Sequence, residues 1–285
     1  MTTRRLGGRS MPPNHIYVYL CYGPSPQNPR ELRYSLETLL PEIAGDASRV
    51  AILTDRPATF RDLPCRVVDI SADLAALAAR GYRHAAKPMV LAKALRMFGR
   101  ASVLIDTDSF VLSGFDTTVA RALAAGAAMN AFVRARAYAD FGPFETDLPH
   151  LGRYVFDPAA SPMLNSGLVA ARPEHAPWLE DAVVLIERLW SGGLTRHDIE
   201  QFAVAECLRL GGAPIALIDK DFVHYFPRWS KRYMRRRLRA RPPGARIPCG
   251  KARVRLFKGW TLARLGWRRL RRKVFAIKPD GERRR

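Results

Sequence analysis

From Ile16 to Ile218, short β-rich apolar runs alternate with segments of helical composition, and that alternation limits what the chain can become. A chain that keeps returning from helix to strand builds an α/β sheet with helices over its faces. Strands are expected at Ile16–Cys21, Val50–Thr54, Val67–Ile70, Ser102–Ile105, Ala128–Val133, Met163–Ala170 and Pro214–Ile218. Helices are expected at Glu31–Leu40, Ala72–Arg80, Lys87–Phe98, Pro177–Trp190 and Arg196–Leu210. Residues 134–162, with Gly142, Pro143, Pro149 and Pro158 and little periodicity, predict a long loop. With 285 residues, 48% of them hydrophobic, the chain has ample material for one generous core.

The charge divides the chain in two. Residues 228–285 hold 23 Lys and Arg against Asp280 and Glu282, a balance of +21 that equals the formal charge of the whole. The remaining 227 residues carry 24 basic and 24 acidic groups. A neutral body over 1–227 followed by a basic extension over 228–285 is the expected domain organisation. Cys21, Cys65, Cys207 and Cys249 are scattered, without metal-type spacing, which predicts a reduced compartment. No apolar run approaches the roughly 20 residues that span a bilayer, and Ile16–Cys21 is too short for a signal-peptide core.

Within the body the most informative segment is Ala101–Ser109. Val103, Leu104 and Ile105 run directly into Asp106-Thr107-Asp108. Strand periodicity sets Asp106 and Asp108 on one side, at the carboxyl end of a buried strand, where open α/β sheets gather their ligands. Two carboxylates there repel unless a cation joins them, and hard oxygens favour Mg²⁺ or Mn²⁺. The plain alternative is an exposed turn that merely ends the strand.

Three later segments add to it. Asn165-Ser166-Gly167 precedes a short apolar run; the glycine admits a ligand close to the backbone and the asparagine offers donor and acceptor together. The stretch from Thr195 opens a helix with Asp198, Glu200 and Gln201 in its first turn. Its apolar face would use Ile199, Phe202, Ala203 and Cys207, leaving Asp198 and Gln201 together on another. Thr195 and Asp198 also fit a capping box, a purely structural use. His224 lies among Phe222, Tyr225 and Phe226, a setting that usually means a packed, hydrogen-bonded histidine.

In this order, "IDTD", "NSG", "HDIEQ" and "VHY" resemble the GT-A-fold glycosyltransferases, nearest to the retaining family of glycogenin and bacterial lipopolysaccharide galactosyltransferases. The resemblance covers about residues 14 to 226. It implies one Rossmann-like domain with a mixed, mostly parallel sheet, binding a nucleotide-sugar, usually a UDP-sugar, with Mn²⁺ or Mg²⁺. It makes Asp106, Asp108 and His224 the metal ligands, with Asp106 also near the ribose. It puts Asn165 on the sugar and Glu200-Gln201, with Asp198 competing, near the reacting face of the donor. Lys87 or Lys93 would face the phosphates, and Lys231 is a diphosphate partner, although the Gly and Lys that usually follow the family's histidine are missing from "HYFPRWSK". Gly23, Asp55 and Thr107, at the carboxyl ends of their strands, complete the nucleotide-binding set.

The extension carries Leu256, Trp260, Ala263, Trp267, Leu270 and Val274 at alternating spacings of four and three, an apolar helical stripe with arginines mostly outside it. Such a helix suits an interfacial membrane segment. It predicts a cytoplasmic protein held on the inner face of the membrane, with a glycan or lipid-linked acceptor. Two other functions compete: a phosphohydrolase of the Asp-x-Asp class, in which Asp106 would be the nucleophile, and a nucleic-acid binder acting through the basic tail. Phe110 stands where the phosphohydrolase pattern wants Thr or Val, and the neutral body offers nucleic acid no basic patch in sequence.

Overall fold

The computed structural model describes residues 15–81, 83–134 and 141–241. Seven strands form one sheet in the order β10-β6-β9-β4-β1-β2-β3. They are β1 (His15–Cys21), β2 (Val50–Thr54), β3 (Arg66–Asp69), β4 (Ala101–Ile105), β6 (Ala127–Arg134), β9 (Met163–Ala171) and β10 (Ile215–Leu217). The pairings β1–β2, β2–β3, β1–β4 and β6–β10 are parallel, while β9 is antiparallel to both β4 and β6. The expected mixed, mostly parallel α/β sheet is the one found.

The strand sequences read as continuous apolar runs because both faces of the sheet are covered. Along β1, Ile16 and Val18 join one core with α3 (Ala86–Phe98), α5 (Ala176–Ser191) and α6 (Ile199–Leu210). Tyr17, Tyr19 and Cys21 point to the opposite core, with α1 (Gln27–Leu39) and α4 (Phe115–Ala125). This two-residue alternation is the strand pleat expressed as two cores. The shorter α2 (Ser71–Ala79) precedes α3.

Three of the departures from the expectations lie beyond residue 134. Residues 134–162 are not simply a loop: β7 (Glu145–Leu148) and β8 (Gly152–Val155) form an antiparallel hairpin. Its turn is held from a distance, the Asp181 carboxylate of α5 accepting the backbone N–H groups of His150 and Leu151. The helix expected from Arg196 begins at Ile199, and the carboxylate of its N-cap, Asp198, makes no capping bond. It is engaged with the Arg196 guanidinium at 2.9 Å instead. Finally, the basic sequence that starts at Arg228 opens with a helix, α7 (Arg228–Arg239), whose Met234 is buried and whose Arg235 pairs with the buried Glu31 of α1 at 2.9 Å. The compact unit runs to Ala240. The amphipathic stripe from Leu256 to Val274, and Cys249, lie outside the described residues. Cys21, Cys65 and Cys207 are free thiols.

Candidate metal and substrate site

Strand β4 stops at Ile105, so strand periodicity is not what brings the two aspartates together. A tight turn over 106–108 does so, closed by the Ser109 hydroxyl donating to the Asp106 carbonyl at 2.6 Å. After it the chain forms β5 (Ser109–Val111), which pairs antiparallel with β11 (Phe222–His224). The register sets His224 opposite Ser109, one residue beyond Asp108, and the Tyr225 N–H bonds the Asp108 carbonyl at 3.1 Å. On the other flank, β9 pairs Leu168 with Ile105 and continues so that the Asp106 N–H donates to the Gly167 carbonyl at 2.9 Å. Backbone ladders thus bring the motifs at 106, 167 and 224 to one edge of the sheet.

One ligating atom each from Asp106, Asp108 and His224 lie within 4.8 Å of one another. His224 Nε2 is 3.4 Å from both Asp106 Oδ2 and Asp108 Oδ1. The other ring nitrogen, Nδ1, is 2.9 Å from Asn165 Oδ1. That oxygen also receives the Gly167 backbone N–H at 2.9 Å and the Asn130 amide at 3.0 Å. A backbone N–H can only donate, so the Asn165 atom is the carbonyl oxygen and His224 Nδ1 must carry a hydrogen. Nε2 is then the nitrogen whose lone pair can serve a cation, the usual arrangement of a ligating histidine. Gly167 makes the approach possible: a Cβ there would be driven into the His224 ring.

Two carboxylates and an imidazole nitrogen, converging within a few ångströms, match the donor chemistry of Mn²⁺ or Mg²⁺, and the nitrogen favours the softer Mn²⁺. The chain supplies counter-charges as well. Lys87 Nζ, in the first turn of α3, sits 2.8 Å from Asp106 Oδ2, 3.3 Å from Ser166 Oγ and 3.7 Å from Glu200 Oε2. Lys231 Nζ lies 2.8 Å from Asp108 Oδ2. Burial works against the Lys87 ammonium, but Asp106 and Glu200 outweigh it and hold its pKa above the ordinary lysine value. Burial likewise tends to raise the Asp108 carboxyl, yet the hydrogen bond and charge of a His224 ring carrying hydrogen on both nitrogens, together with Lys231, hold it well below the usual carboxylate range; a cation at the cluster would take the place of the Nε2 hydrogen.

Glu200 is only 7% exposed, and burial raises its carboxyl against the pull of Lys87. The Ser166 hydroxyl donates to its Oε2 at 2.9 Å, while Oε1 is buried with no hydrogen-bond partner. A buried carboxylate oxygen left open beside a cation cluster is ready for a ligand hydroxyl. Glu200 faces inward because α6 is wedged against β9, α3 and α5, which buries nearly all of Ile199–Leu208 rather than a single apolar stripe.

The structure therefore unites Asp106, Asp108, His224, Asn165, Glu200, Lys87 and Lys231. Lys93 pairs instead with Asp73 at 2.9 Å, and Asp198 with Arg196 at 2.9 Å. Thr107 lies in the turn between the aspartates, and Gln201 follows Glu200; neither hydrogen-bonds the cluster among the described residues. Gly23 and Asp55 bond to each other, N–H to Oδ2 at 3.0 Å, just past β1 and β2 on the same edge. Gly23 has φ +78°, a left-handed conformation suited to glycine. Asn130, which steadies Asn165, was not among the expected site residues; a polar residue in the middle of the apolar β6 run was its only signal. Phe226, expected beside His224, is 55% exposed, with its ring 5.0 Å from the imidazole. No protein-family model matches the chain, and comparison with curated proteins finds no relative.

Proposed function

We propose that the protein is a metal-dependent glycosyltransferase that moves a sugar from a nucleotide-diphosphate donor, of the UDP-sugar type, to a glycan or lipid-linked acceptor with retention of configuration. The observation that carries this reading is the convergence of Asp106, Asp108 and an Asn165-oriented His224 at the carboxyl edge of β4, with the two lysines against their carboxylates. The likeness to the GT-A-fold, retaining glycosyltransferases rests on the same residues.

In this reading Asp106, Asp108 and His224 hold Mn²⁺ or Mg²⁺, which when bound supplies positive charge to a departing diphosphate. Lys87 and Lys231 add fixed positive charge on either side of the aspartates and bind the phosphates. Asn165 orients His224 and lies where a sugar hydroxyl would approach. Glu200 Oε1, open and buried, accepts a hydrogen bond from the sugar or the incoming acceptor hydroxyl, while Ser166 and Lys87 fix its other oxygen. Gln201, a neutral amide, positions rather than attacks. The basic extension would hold the enzyme peripherally at an anionic inner leaflet, each cation near the surface contributing about 1 kcal/mol; no described helix is long and apolar enough to cross a membrane.

Thermal melts with uridine diphosphate, with and without Mn²⁺, test the reading. A ligand at about 100 times its Kd adds about 2.7 kcal/mol of apparent stability, so a metal-dependent rise in Tm is expected, lost in Asp106→Asn. A flat response to every nucleoside diphosphate with metal present would overturn it.

A further inference from the structure

Beside the cluster, α7 and the start of α1 enclose a groove of about 320 Å³ lined by Gln27, Arg228, Lys231, Arg232, Arg235 and Arg239. The five cations are spaced so that one face of α7 presents them all. Two are compensated from the body: Lys231 by Asp108 at 2.8 Å and Arg235 by Glu31 at 2.9 Å. Arg228, Arg232 and Arg239 are exposed and form no ion pair among the described residues, and the first turn of α1 holds no acid. The groove thus keeps three uncompensated guanidinium groups, whose mutual repulsion an anion would relieve.

Its volume lies at the lower end of small-ligand sites, about 300–1,000 Å³. The forked donors of guanidinium groups along the groove suit the oxygens of a phosphoryl or diphosphoryl group. Lys231 joins this groove to the cluster, its ammonium on Asp108 and its side chain on the groove wall. Neither aspartate lines the groove, so an anion held there leaves the cluster's own ligands in place.

We propose that this groove is a second anion site, taking a phosphoryl or diphosphoryl group carried by the acceptor and separate from the donor's diphosphate. The word acceptor rests on the transferase reading above; the anion site does not.

Calorimetric titration of the full chain with inorganic pyrophosphate, in the presence of a chelator, tests it. Two double variants of equal charge are compared, Arg232→Gln with Arg239→Gln in the groove, and Arg236→Gln with Arg237→Gln on the exposed flank of the same helix. The groove pair should weaken pyrophosphate at least tenfold and the flank pair less than twofold. Equal losses would mean diffuse attraction and overturn the proposal. So would a groove pair that weakens Mn²⁺–uridine diphosphate by the same factor, which would assign the groove to the donor. Sedimentation with phosphatidylglycerol vesicles separates the remaining source: vesicle binding that depends on the groove pair, with pyrophosphate unaffected, would make the occupant a membrane surface and overturn the proposal. If the wild type fails to bind uridine diphosphate with metal while pyrophosphate behaves as expected, the anion site stands and the donor reading falls.

Discussion

Asn165 Oδ1 receives three donors, and only one of them, the Gly167 N–H, belongs to the backbone. Its role is to fix which nitrogen of His224 is free, a task that no property of the isolated "NSG" triplet announces. Removing such an outer partner typically costs about 10- to 100-fold in metal affinity. Asn165→Ala should therefore weaken Mn²⁺ by that range in a calorimetric titration while leaving the fold intact by circular dichroism; unchanged affinity would mean that the ring is oriented some other way. At this scale the sequence was informative about identity and weak about partnership. Asp106 and Asp108 stood out because charge follows three aliphatic residues without a break. The choice between Lys87 and Lys93 could not be read from the sequence, because it depends on which side of α3 faces the β4 edge and on Asp73 claiming Lys93. The inward direction of Glu200 was not legible either, because the apolar positions of its helix suggest one stripe, whereas its neighbours bury the whole turn.

Elements with their own apolar periodicity were legible: β1, β2, β4, β9, α3 and α5 lie within a residue or two of their expected spans. Those stabilised from elsewhere were not. The strands β5 and β11 have three residues each and exist through pairing with one another across more than a hundred positions. The β7–β8 hairpin depends on Asp181, and α7 reads as pure charge although Met234 and Arg235 dock it on α1. A comparable long-range tie lies at the amino end of β1, where Asp116 of α4 receives hydrogen bonds from Arg49 and Tyr17 beside His15. Burial tends to raise that carboxyl, and the contacts with His15, Arg49 and Tyr17 prevail, leaving its pKa well below the ordinary value. A depressed carboxyl stabilises the fold above its unfolded pKa, about 3.9, and that contribution fades as pH falls below it. Urea unfolding should show Asp116→Asn less stable by about 1–3 kcal/mol near pH 6, with the gap from wild type closing towards pH 2.

For the whole molecule, the boundary of the compact unit at Ala240 matters more than the point where the charge begins. A chain ending after Ala240 keeps the Glu31–Arg235 and Asp108–Lys231 pairs; one ending after Pro227 loses both and uncovers the surface under Met234. The longer truncation should be less stable by about 1–3 kcal/mol, which at this size is about 2–4 °C in Tm per kcal/mol. The shorter one should melt with the full chain yet leave the pellet in anionic-vesicle sedimentation. Matching melting curves for the two truncations would contradict the docking of α7.

Because Lys87 and Lys231 already sit against the aspartates, the centre is electrically provided for before any ion arrives. A divalent ion binding there would be a visitor, competing with two ammonium groups for its seat, unlike a zinc that a small domain cannot fold without. Dialysis against a chelator should accordingly leave the melting curve in place while abolishing the response to uridine diphosphate, so that architecture and chemistry come apart in a single pair of scans.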